Sequence, residues 1–390
     1  MMTLLVVFTL ICLLMPVYVY AGYPLMLWLL TRRRPEITHR REPVTPRVTL
    51  IISCYNEADV IREKLNNSLA LDYPEGQLGI VVVSDGSDDE TDDVVREFCA
   101  QGVRLIRQEG RLGKTMGLNL AMEDVDTEIV IFSDANAMYA PDAIKQLVCN
   151  FADPRVGYAV GAALYTDGDA GASARNENLY WRYELAIKSM ESRLSSVVGG
   201  DGAIYGIRSR LWQPLQQADI NDFVNPLQIV AQGYRGVFDA QARCYEETAG
   251  DFEREIARKE RIVNRSIRGL MRVQEVLNPL EHGVFSFQVV SHKLLRWLIP
   301  VFLLIGVVGS VLISFLGGTE FLLVCFAAGL ILLLALTGHI AADKHSLPFW
   351  ISTPYYFVMV NLYAVKGILR AVRGKTQVTW SSARPEKELR

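Results

Sequence analysis

Long apolar stretches near both ends of the chain limit the folds that it can adopt. Residues 1–30 contain no acidic or basic side chain, and residues 294–342 and 347–365 are apolar with few interruptions. About 20 consecutive apolar residues are enough to cross a bilayer as a helix. The sequence therefore predicts a membrane protein with an N-terminal transmembrane helix, residues 1–31, and a C-terminal transmembrane or interfacial region, residues 298–370.

Arginines follow the first apolar stretch at once. Arg32, Arg33 and Arg34 come after it and no charge precedes it. This pattern favours a retained helix over a cleaved signal peptide, which begins with a basic segment and ends in small residues. The positive-inside rule then places the next domain, residues 32–280, in the cytoplasm. We expect a multi-pass protein of the cytoplasmic (inner) membrane that contacts membrane lipids.

Two segments near the spans have alternative interpretations. Residues 281–297 mix apolar and polar side chains, which predicts an amphipathic helix at the membrane interface; a helix packed on the soluble domain is the alternative. The stretch 347–365 either crosses the bilayer or lies at its surface, since it contains Pro348 and Pro354. A polar tail, residues 371–390, ends the chain.

Strands and helices alternate in the polar middle of the chain. Runs rich in β-branched residues predict strands at 48–53, 79–84, 103–107 and 128–133. Between them, apolar periodicity and capping residues predict helices at 58–69, 91–99 and 114–122. This order is typical of a doubly wound, mostly parallel α/β sheet.

Polar side chains stand where these strands end. Tyr55 and Glu57 follow the first strand, Asp85 the second, and Asp134 and Asn136 the fourth. Parallel strands bring such ends to one edge of the sheet, where ligands bind. Asp134 and Asn136 are oxygen donors two residues apart, which suits Mg²⁺ or Mn²⁺. An ordinary polar turn is the alternative.

Several classes of function are disfavoured. No GxGxxG follows the first strand, and Gly113-Lys114-Thr115 lacks the earlier glycine of a P-loop, so neither a dinucleotide site nor a P-loop NTPase is expected. A net charge of −3 and no basic stripe argue against a nucleic-acid partner. The six cysteines are scattered without the spacing of a zinc site.

Six short motifs, in order, resemble those of membrane-embedded family 2 glycosyltransferases with the GT-A fold. This group includes cellulose, chitin, hyaluronan and poly-N-acetylglucosamine synthases. The matching motifs are Cys54-Tyr55-Asn56-Glu57, Ser84-Asp85-Gly86-Ser87, Gly113-Lys114-Thr115, Ser133-Asp134-Ala135-Asn136, Gly199-Gly200-Asp201-Gly202-Ala203 and Asn221-Asp222-Phe223.

On the donor side, the resemblance implies that Tyr55, Glu57 and Asp85 hold the nucleoside of a nucleotide sugar. Lys114 would lie near the donor phosphates or sugar. Asp134 and Asn136 would bind the divalent cation, Mg²⁺ or Mn²⁺. The family usually has a second Asp at the position of Asn136, so we expect weaker cation binding from the uncharged amide.

On the acceptor side, the resemblance implies that Gly200, Asp201 and Gly202 meet the acceptor sugar; a tight turn into a strand is the alternative. Asp222 corresponds to the general base, which takes the proton of the attacking hydroxyl. Its alternative role is a helix N-cap. Asn221 stands where the family often has an acid.

The last family motif, Gln-x-x-Arg-Trp, is matched only in part. Arg261 matches the Arg, whereas Arg258 replaces the Gln and Ile262 replaces the Trp. Arginine suits a diphosphate because its guanidinium donates two parallel hydrogen bonds, so Arg258 and Arg261 are expected at the donor. A solvated basic helix is the alternative.

We therefore expect an inverting glycosyltransferase that uses a nucleotide-diphosphate donor, first of all a UDP-sugar, and a polysaccharide or lipid-linked acceptor. Homo-oligomers or assembly partners are possible. One alternative is a catalytically silent membrane partner that binds a nucleotide or polymer, suggested by Asn136 and Ile262. Another is a metal-dependent hydrolase of nucleotide sugars that uses the same carboxylates.

Overall fold

The computed structural model describes residues 1–166, 172–247, 252–341 and 348–375. The chain divides into two compact units. Of the described residues, 1–26, 252–267, 290–341 and 348–375 belong to the helical unit, and 27–166, 172–247 and 268–289 belong to the sheet unit. The sheet unit overlaps the soluble domain expected at 32–280 except at residues 252–267, and the bounds of that domain stay a prediction. Most of the predicted polar tail, residues 376–390, lies outside the described residues.

Eight strands form one sheet in the part of the chain that the structure describes. They are β1 Val48–Cys54, β2 Leu78–Ser84, β3 Val103–Arg107, β4 Ile129–Asp134, β5 Met138–Tyr139, β6 Val156–Thr166, β7 Tyr205–Arg208 and β8 Arg235–Glu247. Their order across the sheet is β3-β2-β1-β4-β7-β6-β8-β5.

The first four strands in the chain are parallel, as predicted. β1 pairs with β2 and β4, and β2 pairs with β3. All seven residues of β1 are buried, because helices cover both faces of a sheet of this kind. β7 then runs antiparallel to β4, with Tyr205 opposite Phe132. This pairing puts the glycine-rich loop before β7 next to the end of β4.

The described α-helices flank this sheet or form the helical unit. They are α1 Met2–Val17, α2 Tyr23–Thr31, α3 Ala58–Leu69, α4 Thr91–Arg96, α5 Lys114–Glu123, α6 Ala143–Val148, α7 Ala172–Leu194, α8 Asn221–Ala231, α9 Phe252–Arg272, α10 Pro279–His282, α11 Val284–Val289, α12 Leu295–Phe315, α13 Leu322–Ala341 and α14 Phe349–Val372. Five-residue π-helical segments, Tyr18–Gly22 and Val290–Leu294, join α1 to α2 and α11 to α12.

Three of the described helical stretches are long and apolar enough to cross a membrane: Met2–Thr31, Val284–Phe315 and Thr319–Ala341. α14 is not among them. Within the helical unit, α1 packs closely on α12, because Thr9 and Leu13 lie against Gly309 and Gly306. Small residues at such a crossing let helix backbones approach each other in a bilayer.

The segment expected to form one interfacial helix, residues 281–297, is divided in the structure. α10 ends at His282, because Gly283 has a φ of 54° that breaks the helix, and a new helical stretch runs from Val284 to Phe315. Phe285 and Gln288 are buried, and Gln288 Nε2 donates to the carbonyl of Glu191 at 3.2 Å. The beginning of this helix therefore packs within the sheet unit, which is the alternative that the sequence left open.

Candidate functional site

Three charged side chains converge beside Gly202. A Cβ placed on this glycine would lie 3.1 Å from Asp134 Oδ2, 3.6 Å from Lys114 Nζ and 3.7 Å from Asp222 Oδ2. Asp134 is the last residue of β4, Lys114 the first of α5, and Asp222 lies in the first turn of α8. The fold thus brings together residues from three distant sequence motifs.

Short contacts hold the helix that carries Asp222 against the glycine-rich loop. The N–H of Gly200 donates to the carbonyl of Asp222, and Asn221 Nδ2 donates to the Tyr205 hydroxyl at 2.9 Å. The helix begins at Asn221 with Ile220 as its N-cap. The capping alternative for Asp222 is therefore wrong, since its side chain follows the cap and faces the cleft.

The surroundings of Asp222 favour a strong base. Burial raises the pKa of its carboxyl, and the carboxylates of Asp201 and Asp134 raise it further. Lys114 and Lys188 oppose this rise by stabilising the charged form. A carboxylate with a raised pKa holds a proton more strongly, which suits a group that must take a proton from a hydroxyl.

Asp134 and Asn136 are both half-buried at the end of β4. Lys114 Nζ forms an ion pair with Asp134 Oδ1, while Asp134 Oδ2 faces Gly202. The Asn136 side chain is half-buried and makes no hydrogen bond with a described residue. A carboxylate and an amide fit a hard divalent cation. Within the described residues no group of three or more His, Cys, Asp or Glu could hold a metal, so a bound donor and water would have to complete its coordination.

Asp85 presents an unused acceptor at the end of β2. Its Oδ1 accepts hydrogen bonds from Gln108 Nε2 at 2.6 Å and from the Gly113 N–H at 2.8 Å. Its Oδ2 is buried and has no hydrogen-bond partner among the described residues. Burial raises the pKa of this carboxyl. A buried acceptor without a partner favours a ligand that donates an N–H or O–H there.

The loop after β1 is fixed to the loop after β2. Asn56 adopts a φ of 51° and exchanges two hydrogen bonds with Asp88, at 2.6 and 3.1 Å. The half-buried Tyr55 ring lies 3.7 Å from the Arg111 guanidinium. Glu57 forms the N-cap of α3, and its N–H donates to Thr91 Oγ1 at 2.8 Å. Arg111 belongs to none of the six motifs, so sequence reasoning did not predict it at this site.

Asp201 points into the protein. Only 8% of its surface is exposed. Lys188 Nζ forms an ion pair with its Oδ2 at 2.8 Å, and the Ala203 N–H donates to its Oδ1 at 3.3 Å. Burial disfavours the charge of Lys188, but Asp201, together with Glu184 and Asp222, more than offsets this, so the pKa of Lys188 is raised. Asp201 is thus placed to shape the glycine-rich loop rather than to reach an acceptor itself.

Arg258 and Arg261 are not among the residues that the sheet unit brings together. Both lie on α9 within the helical unit, where Arg258 is exposed and Arg261 half-exposed. The same segment of α9 is fixed by Glu260, which forms ion pairs with Lys366 at 3.1 Å and Arg370 at 2.5 Å.

Comparison with known protein families identifies similar proteins. The family model of glycosyl transferase family 2 matches residues 49–210, a range that contains Asp85, Lys114 and Asp134 but not Asp222, Arg258 or Arg261. Poly-β-1,6-N-acetyl-D-glucosamine synthases are similar over part of the chain. The Staphylococcus epidermidis protein is 28% identical over 116 residues, and the Staphylococcus aureus (strain MSSA476) protein is 32% identical over 117. Each match covers 29% of this chain and only 28% of the synthase.

A solved structure matches nearly the whole chain. The mannosyltransferase PcManGT from Pyrobaculum calidifontis, in complex with GDP-Man and Mn²⁺, superposes with a TM-score of 0.69. The match covers 94% of this chain and 99% of the other, at 22% identity. At this identity the likeness shows the fold alone, and it confirms the predicted GT-A architecture.

Proposed function

We propose that this chain, whose residues 49–210 match the family model of glycosyl transferase family 2, transfers a sugar with inversion from a nucleotide-diphosphate donor to a polysaccharide or lipid-linked acceptor. The observation that carries the proposal is the convergence of Asp134, Lys114 and Asp222 beside Gly202. Inverting transfer needs a base opposite the leaving group, and this cleft supplies a carboxylate on one element and an ammonium on another.

The donor's nucleoside binds at the ends of β1 and β2 in this proposal. Asp85 Oδ2 accepts a hydrogen bond from the base, in line with its buried position and the absence of a described partner. Tyr55 and Glu57 line the same edge. Lys114 lies near the diphosphate, where its ammonium offsets negative charge.

Asp134 and Asn136 would hold the divalent cation, Mg²⁺ or Mn²⁺. Such a cation neutralises the charge that collects on the diphosphate as it departs. The donor set of one carboxylate and one amide supports this assignment, as does the Mn²⁺ in the complex of the structurally similar mannosyltransferase. Arg258 and Arg261 on α9 are proposed as further contacts to the diphosphate.

Asp222 then acts on the acceptor. Its carboxylate takes the proton of the acceptor hydroxyl as that oxygen forms a bond to the anomeric carbon. The bond from this carbon to the diphosphate breaks on the opposite face, and the nucleotide leaves with the electron pair. Gly200 and Gly202 leave space for the acceptor, and a side chain at Gly202 would fill the gap between the three charged groups.

A UDP-linked sugar is the first candidate donor, with an N-acetylhexosamine favoured by the names of the curated relatives. GDP-mannose is the second, because the structurally similar enzyme is a mannosyltransferase with GDP-Man. The arginines after residue 31 support a catalytic domain at the cytoplasmic face of the inner membrane.

Turnover by the full chain in nanodiscs tests the proposal. A panel of UDP- and GDP-sugars would be supplied with Mg²⁺ or Mn²⁺, membrane lipid extract and short oligosaccharides, and nucleotide release and glycosylated product would be measured. Release with product, lost in Asp222→Asn, supports transfer. Release without product in the presence of every acceptor indicates hydrolysis. Nucleotide binding without release from any donor would identify a silent partner.

A further inference from the structure

A lysine with no place in the reaction above lies fully buried under the proposed cation site. Lys64, on α3, has 0% of its surface exposed. Its Nζ donates to the carbonyl of Ala137 and lies 4.0 Å from the centroid of the Tyr139 ring. Among the described residues it forms no ion pair with a carboxylate. Burying an amine without such a pair costs free energy that an apolar side chain would avoid, so this position calls for an explanation.

The two residues that Lys64 contacts belong to the turn that carries Asn136. Ala137 directly follows Asn136, and Tyr139 ends β5. One helical turn after Lys64, Asn67 holds the same turn by exchanging two hydrogen bonds with the backbone of Tyr139, at 2.9 and 2.8 Å. Two side chains of α3, Lys64 and Asn67, therefore hydrogen-bond to the backbone of this turn.

The Tyr139 ring extends the connection to the acceptor side. Its hydroxyl contacts the carbonyl of Phe132 at 3.3 Å and that of Ala203 at 3.1 Å. Phe132 lies on β4 two residues before Asp134, and Ala203 follows Gly202. Because Glu57 is also the N-cap of α3, this one helix connects the proposed nucleoside, cation and acceptor loops.

We propose that Lys64 is a positioning residue: its amine fixes the carbonyl of Ala137 and thereby sets the orientation of the Asp134–Asn136 segment toward a cation-bound nucleotide. This inference deepens the proposed function and rests on it. Since Lys64 touches the backbone after Asn136 and not the reacting groups, its loss affects cation-dependent nucleotide binding more than the rate of the bound complex.

Binding of UDP and GDP to the purified full chain tests this role by calorimetry, with and without Mn²⁺. Lys64→Met keeps a long unbranched side chain but removes the donor. We expect its Kd for the nucleotide with Mn²⁺ to rise about 10-fold, while the Kd without cation changes less than about twofold. Glu63→Met, an exposed position on the same helix, is the control and should match the wild type.

A purely structural role predicts a different result: a lower Tm, with unchanged constants for the folded fraction. That outcome, or an equal loss with and without Mn²⁺, overturns the inference. If Lys64→Met does not fold, Asn67→Ala takes its place, because it removes the other side-chain contact between α3 and this turn. It must then show the same loss of nucleotide affinity in the presence of Mn²⁺. Failure of the proposed function is distinguishable, because the wild type would then bind no nucleotide or release none.

Discussion

The carboxylates of Asp134 and Asp222 are far apart in the sequence, yet both border the point where Gly202 would carry a Cβ, at 3.1 and 3.7 Å. Gly202→Ala therefore places a methyl group where donor and acceptor are proposed to meet. We expect turnover to fall about 100-fold with little change in Tm, because the nearest atoms are the ends of side chains that can shift slightly. Gly79→Ala, where the added Cβ meets only ordinary contacts, is the control. Full activity in Gly202→Ala would place the reaction elsewhere.

Asp222→Asn should remove the base and leave the donor site intact. We expect a loss in kcat of about 10²–10⁴-fold, the usual contribution of a positioned base, with nucleotide affinity nearly unchanged. Calorimetry and product formation measure the two separately. Glu123→Gln makes the same chemical change at an exposed position and should have no effect.

The pH dependence of turnover follows from the same residue. The base works when ionised, so kcat falls as the pH is lowered through its pKa. Because burial raises that pKa above its ordinary value of 3.8, we expect this fall at a higher pH than for an exposed carboxylate. A rate that stays flat down to pH 4 would contradict the assignment.

Lys188→Met should destabilise the protein, because it removes one partner of the buried ion pair with Asp201. Loss of one partner leaves a buried carboxylate uncompensated, which costs roughly 3–5 kcal/mol. Lys188→Met combined with Asp201→Asn should recover most of this loss, as measured by thermal unfolding. Lys145→Met breaks an exposed pair with Asp72 and should change the free energy of unfolding by less than about 1 kcal/mol.

The same substitution should also change catalysis. Lys188 lowers the pKa of Asp222, so its removal raises that pKa. The acidic fall in kcat should then begin at a higher pH in Lys188→Met than in the wild type. Lys188→Arg keeps the charge and should restore the wild-type profile if it fits.

Lys64 should make stability depend on pH in the alkaline range. Burial lowers its pKa from 10.5 to about 7. Between these values the unfolded chain binds one more proton than the native protein, so stability rises with pH, by up to about 1.4 kcal/mol per pH unit. The difference between the Tm of the wild type and the Tm of Lys64→Met should therefore shift in favour of the wild type as the pH rises from 7.5 to 9.5. Parallel curves would show that the amine titrates at its ordinary pKa.

Arg261→Gln should weaken the stabilisation of the departing diphosphate. A lost charged hydrogen bond is worth about 1.5–3 kcal/mol, or roughly 10–150-fold in kcat/KM. Arg62→Gln, which breaks an exposed pair with Glu97, serves as the control. Equal activity of Arg261→Gln and the wild type would favour the alternative in which α9 is a solvated basic helix.

The parallel half of the sheet could be predicted from sequence because each strand is a β-branched run that ends at a polar turn. β3 and the starts of β1, α3 and α5 fall where they were expected. The reversed strand β7 and its neighbours β6 and β8 could not be placed, because strand order depends on long-range packing. Yet the β4–β7 pairing is what puts Gly202 beside Asp134.

The buried charges were missed for a related reason. Lys64 and Lys188 lie in amphipathic helices, where a lysine ordinarily faces solvent. Only the packed structure shows that one reaches a carbonyl and the other a carboxylate. Asp201, which the motif suggested as an acceptor contact, is drawn inward by Lys188 for the same reason.

The ion pair between Lys114 and Asp134 gives this carboxylate a counter-ion within the protein itself. A free cation that bound at Asp134 without a nucleotide would have to compete with the ammonium of Lys114. Its only other protein ligand in this proposal would be the amide of Asn136. A nucleotide changes this balance, because its diphosphate attracts the ammonium and the cation together. We therefore expect the cation and the nucleotide to bind together, as a preformed metal–nucleotide complex. The supply of the loaded nucleotide, rather than the concentration of free metal, would then determine how much of the protein is ready to react.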